Sequence, residues 1–179
     1  LLNDGIGNPK QAKSKFRSMD TPPAMISGIR ASAKIAIRAG MRHIHFAQVV
    51  EEDARAIEAF FSALEPVPSP ALVDGELSPA AKRGKLVFRE AGCTSCHSGP
   101  EFTDLRMYSV GTGLGREKGR DWDTPTLREV WRTAPYLHDG RAATLEALIT
   151  EYNPDDRHGR TSKLTDAQRK DLIEYIRSL

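Results

Sequence analysis

Apolar positions along the chain recur mostly at helical spacing, and strand-like alternation is nearly absent. Residues 31–42 place Ile35, Ala36, Ala39 and Ile37 toward one face. Residues 51–64 set Ala54, Ile57, Phe60, Phe61 and Leu64 at helical spacing behind an acidic first turn, the end of a helix that favours negative charge. The prolines of Glu65-Pro66-Val67-Pro68-Ser69-Pro70 cannot continue that helix and predict a stiff linker. Ser78-Pro79 then reads as an N-cap followed by proline in the first helical position, opening a helix that runs through Gly84 and Phe88 toward Cys93. A further helix is predicted over 144–152, stopped by Asn153-Pro154. The last covers 165–179, with a Thr165–Gln168 capping box and a broad face of Leu172, Ile173, Tyr175, Ile176 and Leu179. One short extended stretch near 107–110 is the exception. The expected class is all-α with long loops.

A weak internal repeat runs through this pattern. Thr21-Pro22 resembles Thr124-Pro125, and 51–64 resembles the terminal helix, with Phe60 matching Tyr175 and Leu64 matching Leu179. The opening Leu1-Leu2-Asn3-Asp4-Gly5 shows no charged-then-apolar leader and reads like the interior of a longer protein. The expectation is a chain cut within a first repeat. Residues 1–64 would be the C-terminal part of one domain, 65–76 a Pro-rich linker and 77–179 a complete second domain.

Composition narrows the class without naming a function. With 39% hydrophobic and 28% charged residues the chain is globular, and its net charge of +2 gives no global pull toward nucleic acid or anionic lipid. No apolar run approaches the roughly 18 residues that would span a bilayer. Only two cysteines are present, too few for a disulfide framework.

Their spacing carries the chemistry. Cys93-Thr94-Ser95-Cys96-His97 offers two thiols placed for the two vinyl groups on one porphyrin edge, with an imidazole directly after them for the iron. Zinc would need a second pair of soft ligands, and there is no other cysteine. A thioredoxin-like dithiol would follow a strand, which the pattern does not provide. Covalent haem c is the expected cofactor, with His97 as proximal ligand. Gly84, Phe88 and Tyr175 fit a close crossing of the first and last helices of such a domain. Attachment of this kind takes place outside the cytoplasm, so the expected compartment is the periplasm or cell surface.

Several further motifs carry a family resemblance: Asp123-Thr124-Pro125-Thr126-Leu127-Arg128, Thr133-Ala134-Pro135-Tyr136-Leu137-His138-Asp139-Gly140 and Thr144-Leu145-Glu146. Together they resemble the C-terminal haem domain of bacterial di-haem cytochrome c peroxidases and the related MauG-like enzymes, strongly over 78–179 and weakly over 1–64. The resemblance implies a sixth iron ligand, methionine or tyrosine, just after the Thr-Leu-Glu segment, which falls on Tyr152. Met107 and His138 are the rival ligands, and an open or water-filled site is the remaining reading. Arg128 is expected to pair with a haem propionate, where a guanidinium matches a carboxylate two-pronged. Trp122 and Trp131 are relay candidates beside the plainer role of core filling. A calcium ion between domains would map to Asp20, Thr133 and Pro135, whose hard oxygens suit it.

One departure stands out. The family's peroxidatic haem belongs to the first domain, and this chain has no haem motif there. The equivalent region reads Met41-Arg42-His43-Ile44-His45-Phe46, where one histidine is a candidate ligand for a haem held upstream. The expected function is therefore electron transfer within a di-haem protein, with an adjacent haem domain or a redox protein as partner. The alternatives are peroxide reduction at an open iron and a structural haem module of a larger surface protein.

Overall fold

The computed structural model describes residues 2–3 and 9–179 of the chain. Its helices are α1 (Ala33–His43), α2 (Glu51–Ser62), α3 (Pro79–Glu90), α4 (Leu145–Ile149) and α5 (Asp166–Arg177). Two small antiparallel ribbons join them, β1 (Leu2–Asn3) with β2 (Pro9–Lys10) and β3 (Met107–Tyr108) with β4 (Trp122–Asp123). The predicted extended stretch is β3, and Tyr108 pairs there with Trp122. No helix among the described residues is long and apolar enough to cross a membrane.

Capping sets the helix starts where the sequence predicts them. The Ser78 hydroxyl accepts from the Ala81 amide with Pro79 in the first turn, and Thr165 and Gln168 form a reciprocal capping box on α5. The two capped helices cross at Gly84. A Cβ there would stand 1.8 Å from the Asp171 carbonyl oxygen, so only glycine lets the backbones meet. Phe88 and Tyr175 fill the flank edge to face at 5.4 Å. Around them Ala81, Val130, Leu145, Leu172 and Ile176 form the core. The helix predicted over 144–152 is shorter than expected. Thr144 caps it, but it ends at Ile149, where the Thr150 hydroxyl turns back onto the Glu146 carbonyl.

The repeat is present in the backbone: Phe60 and Tyr175 keep the matching place in α2 and α5, while the pairing of Thr21-Pro22 shifts. Arg17 and Glu129, Met25 and Leu137, and Gly28 and Gly140 all adopt left-handed φ at one constant spacing along the chain. Two of these three pairs are non-glycine, where such a conformation is uncommon. The bridge Ala24–Arg30 has its counterpart in Tyr136–Ala142, and the capping residues Ser32 and Thr144 correspond too. Thr21 therefore matches Thr133, not Thr124. In both copies the same path leads into a helix, a loop and a second helix of 12 residues, α2 or α5.

The proline-rich 65–76 segment is docked onto the second half. The Val67 amide donates to Glu129 Oε1 at 2.6 Å, and the Ser69 hydroxyl to the Arg177 carbonyl at 2.5 Å.

Candidate functional site

Beside the α3–α5 crossing lies a cavity of about 420 Å3, walled by Phe88, Leu127, Val130, Leu148, Leu172 and Ile176 among others. Cys93, Cys96 and His97 open onto it, as does one residue that sequence reasoning passed over, His158.

The Cys-x-x-Cys-His segment is shaped by the end of α3. Gly92 takes a left-handed φ of 82°, and residues Cys93–Ser95 follow as one 3-10 turn. The Cys96 and His97 amides both donate to the Cys93 carbonyl, which gathers the two thiols and the imidazole into a single turn. Both cysteines are free, and burial pushes the Cys93 thiol up to about 11. His97 Nδ1 lies 3.0 Å from the Phe102 carbonyl. A carbonyl only accepts, so the proton sits on Nδ1 and the Nε2 lone pair is left for a metal. Burial lowers the His97 pKa, against the raising pull of that carbonyl, so the ring is neutral as a ligand must be.

His158 faces this ring from the loop after α4. The two ring centroids stand 6.3 Å apart with planes inclined by 35°. That spacing accommodates one metal ion between two imidazoles, since two bonds of about 2 Å plus the ring radii span about 6 Å. His158 Nδ1 is buried with no hydrogen-bond partner among the described residues. Burial, reinforced by His97, pushes the His158 pKa down to about 4, so this imidazole is also neutral.

The loop that presents His158 is clamped by two side chains. Asn153 Oδ1 accepts from the His158 amide at 2.8 Å, and its Nδ2 donates to the Gly159 carbonyl and to the Thr161 hydroxyl. Asp156 takes the Thr161 and Ser162 amides and the Ser162 hydroxyl, which together hold its carboxyl below the usual range. The histidine is thus held before any cofactor arrives.

The other predicted residues are distributed differently. Tyr152 is not among the residues lining the cavity, and its hydroxyl bonds to Glu151, which raises its pKa. Met107 is absent from the lining as well, and its sulfur packs over Gly28. Arg128 does border the cavity, donating to the Pro100 carbonyl and lying 5.2 Å over the Phe102 ring, the residue whose carbonyl orients His97. His138 lies in the wall, stacked on Trp122 at 3.8 Å. Trp131 is outside this cavity, on a surface groove. Thr133 and Pro135 border the cavity, whereas Asp20 pairs with Arg17 elsewhere. Among the described residues no group of three His, Cys, Asp or Glu side chains could hold a metal ion.

The family model named Cytochrome c matches residues 81–179. The chain is 31% identical over 169 residues to hydrazine synthase subunit gamma of Kuenenia stuttgartiensis, covering 69% of this chain and 48% of that protein. It is 30% identical over 120 residues to the methylamine utilization protein MauG of Methylorubrum extorquens, covering 55% and 34%. Among solved structures, K. stuttgartiensis hydrazine synthase pressurised with xenon superposes with a TM-score of 0.87 at 27% identity, over 99% of this chain and 75% of that one. The chain spans about half or less of the length of these curated relatives. It belongs to the cytochrome c family, in the di-haem cytochrome c peroxidase/MauG-like group, whose cofactor is covalent haem c.

Proposed function

We propose that this cytochrome c family member is an electron-transfer haem domain whose iron is held between two histidines, His97 and His158. Cys93 and Cys96 would carry the haem covalently, and the apolar cavity would take its ring. The bound group supplies a one-electron ferric/ferrous couple. What the chain contributes is position and exclusion. The Phe102 carbonyl orients one imidazole, the Asn153 clamp holds the other, and buried side chains keep water from the edges. The observation that carries this reading is the 6.3 Å separation of the two half-buried imidazoles across the cavity. A centre with both axial positions filled from the protein suits transfer of electrons better than binding of peroxide, which needs an open position.

The rest of the chain fits a di-haem protein. In this reading 1–64 is the tail of a first cytochrome-like domain, 65–76 the connection and 77–179 the complete second domain. The repeat supports it, as do the exposed apolar residues of the first copy, Ile35, Ile44, Phe46 and Phe60. His45 falls in the window that corresponds to His158, between the two helices of the first copy, with His43 at the end of α1, and either would face a haem held there. The partner is then that adjacent haem or an external redox protein, in an extracytoplasmic compartment.

Replacing the second imidazole tests the assignment. Ferric His158→Ala from a maturation-competent host should change from low-spin to high-spin and take up cyanide or added imidazole, while Tyr152→Phe keeps the parent spectrum. A His158→Ala spectrum identical to the parent's, with Tyr152→Phe opening the site, would overturn it.

A further inference from the structure

The N-terminal copy reaches into the haem cavity through one buried ion pair. Lys13 and Asp123 both line that cavity, and their side chains are only 5% and 1% exposed. The Lys13 ammonium has three N–H donors and meets three oxygens: Asp123 Oδ2 at 2.5 Å, the Pro23 carbonyl at 3.2 Å and the Thr21 carbonyl at 3.3 Å. Two of those oxygens belong to the first copy. The third is on β4 in the haem domain, whose Asp123 amide also donates to the Ile26 carbonyl of the first copy. Asp123 is thus fixed by the N-terminal copy through both its backbone and its side chain, while its Oδ1 is buried with no partner among the described residues. Burial pushes the Asp123 carboxyl up and Asp104 adds to that, with Lys13 opposing them.

A charge in such a wall acts on the iron through a medium that screens far less than water. Ferric haem carries one more positive charge than ferrous, so a buried anion favours the ferric state and a buried cation the ferrous state. A closed pair of the two contributes little. We propose that Lys13 is a positioning residue through which the N-terminal copy sets the potential of the second-domain haem, by neutralising Asp123 in the cavity wall. The inference rests on haem occupying this cavity, and does not depend on which residue is the sixth ligand.

Redox titration of the haem-loaded chain at neutral pH separates the outcomes. Lys13→Met leaves an uncompensated carboxylate and should lower the midpoint potential. Asp123→Asn leaves an uncompensated ammonium and should raise it. The double variant should return toward the parent, and Lys13→Arg, which keeps the charge, should stay close to it. The axial-ligand spectrum is expected to remain the parent's throughout, which keeps this test apart from that of His158. Should Lys13→Met fail to load haem, the upward shift of Asp123→Asn and the constancy of Lys13→Arg still decide. Shifts of one sign in both single variants, no shift in Asp123→Asn, or a Lys13→Arg shift as large as that of Lys13→Met overturns the proposal.

Discussion

Phe60 in α2 and Tyr175 in α5 hold the same place in two helices of equal length, yet Phe60 is 62% exposed and Tyr175 only 5%. Each helix has the same length and carries its aromatic at the same place, so the pattern within the helix does not explain the difference. The partner helix does. α5 lies across α3 at Gly84, where its apolar face is covered. α2 packs on α1, and among its residues only Ala54 is buried. An amphipathic pattern fixes which face of a helix is apolar. Burial of that face, and most of the stability it brings, depends on a second element.

Glycine substitutions should split the two halves most widely. Gly84→Val puts a side chain into the Asp171 backbone, and with no flexible atom able to yield it should cost on the order of 3 kcal/mol or more, or prevent folding, in denaturant unfolding of the haem-loaded chain. A Cβ added at Gly40 in α1 would meet nothing within 4 Å, so Gly40→Ala should be neutral or stabilise by up to about 1 kcal/mol. Equal losses at the two sites would show that α1 is as tightly packed as the α3–α5 crossing.

The matched aromatic positions should differ next. Tyr175→Ala removes a buried ring and should cost roughly 3 kcal/mol, as large core truncations do, whereas Phe60→Ala should cost under about 1 kcal/mol. If a longer form of the protein covers α2, the Phe60 loss should grow there toward that of Tyr175.

A smaller effect concerns charge at the crossing. Arg83 grips Asp171 with two hydrogen bonds of 2.7 Å, which holds the Asp171 carboxyl below its usual range. A depressed carboxyl contributes stability above its unfolded pKa of about 4 and loses it as pH falls through the folded value. Asp171→Asn should therefore cost slightly at pH 7, and the gap to the parent should close in acid, below pH 4. Exposure of the pair keeps the effect small, and salt should shrink it further.

The second half is far more legible in the sequence than its ligand set. Ser78-Pro79, the Thr165–Gln168 box and Cys93-x-x-Cys96-His97 are local signals, each with its own chemistry within a few residues, and the structure keeps each helix start where they place it. Gly84 is legible because a glycine between good helix positions needs a neighbour to account for it. His158 carries no such signal. It stands in a run of turn residues with no apolar periodicity, and what makes it face His97 is the Asn153 clamp, a contact that exists only after folding. Tyr152 follows from resemblance and from a helix continued to 152, but Thr150 ends that helix early. The pairing of β3 with β4 is hidden for a similar reason, since a glycine-rich loop separates the two strands.

The central claim is that two histidines hold the iron in the second half. Near-infrared magnetic circular dichroism of the ferric, haem-loaded parent protein tests it most directly, because the low-spin charge-transfer band reports the axial pair. The account predicts the band of two neutral imidazoles, lost in His158→Ala and unchanged in Tyr152→Phe and Met107→Leu. A band of histidine with methionine or tyrosinate, or a high-spin spectrum in the parent, would contradict it.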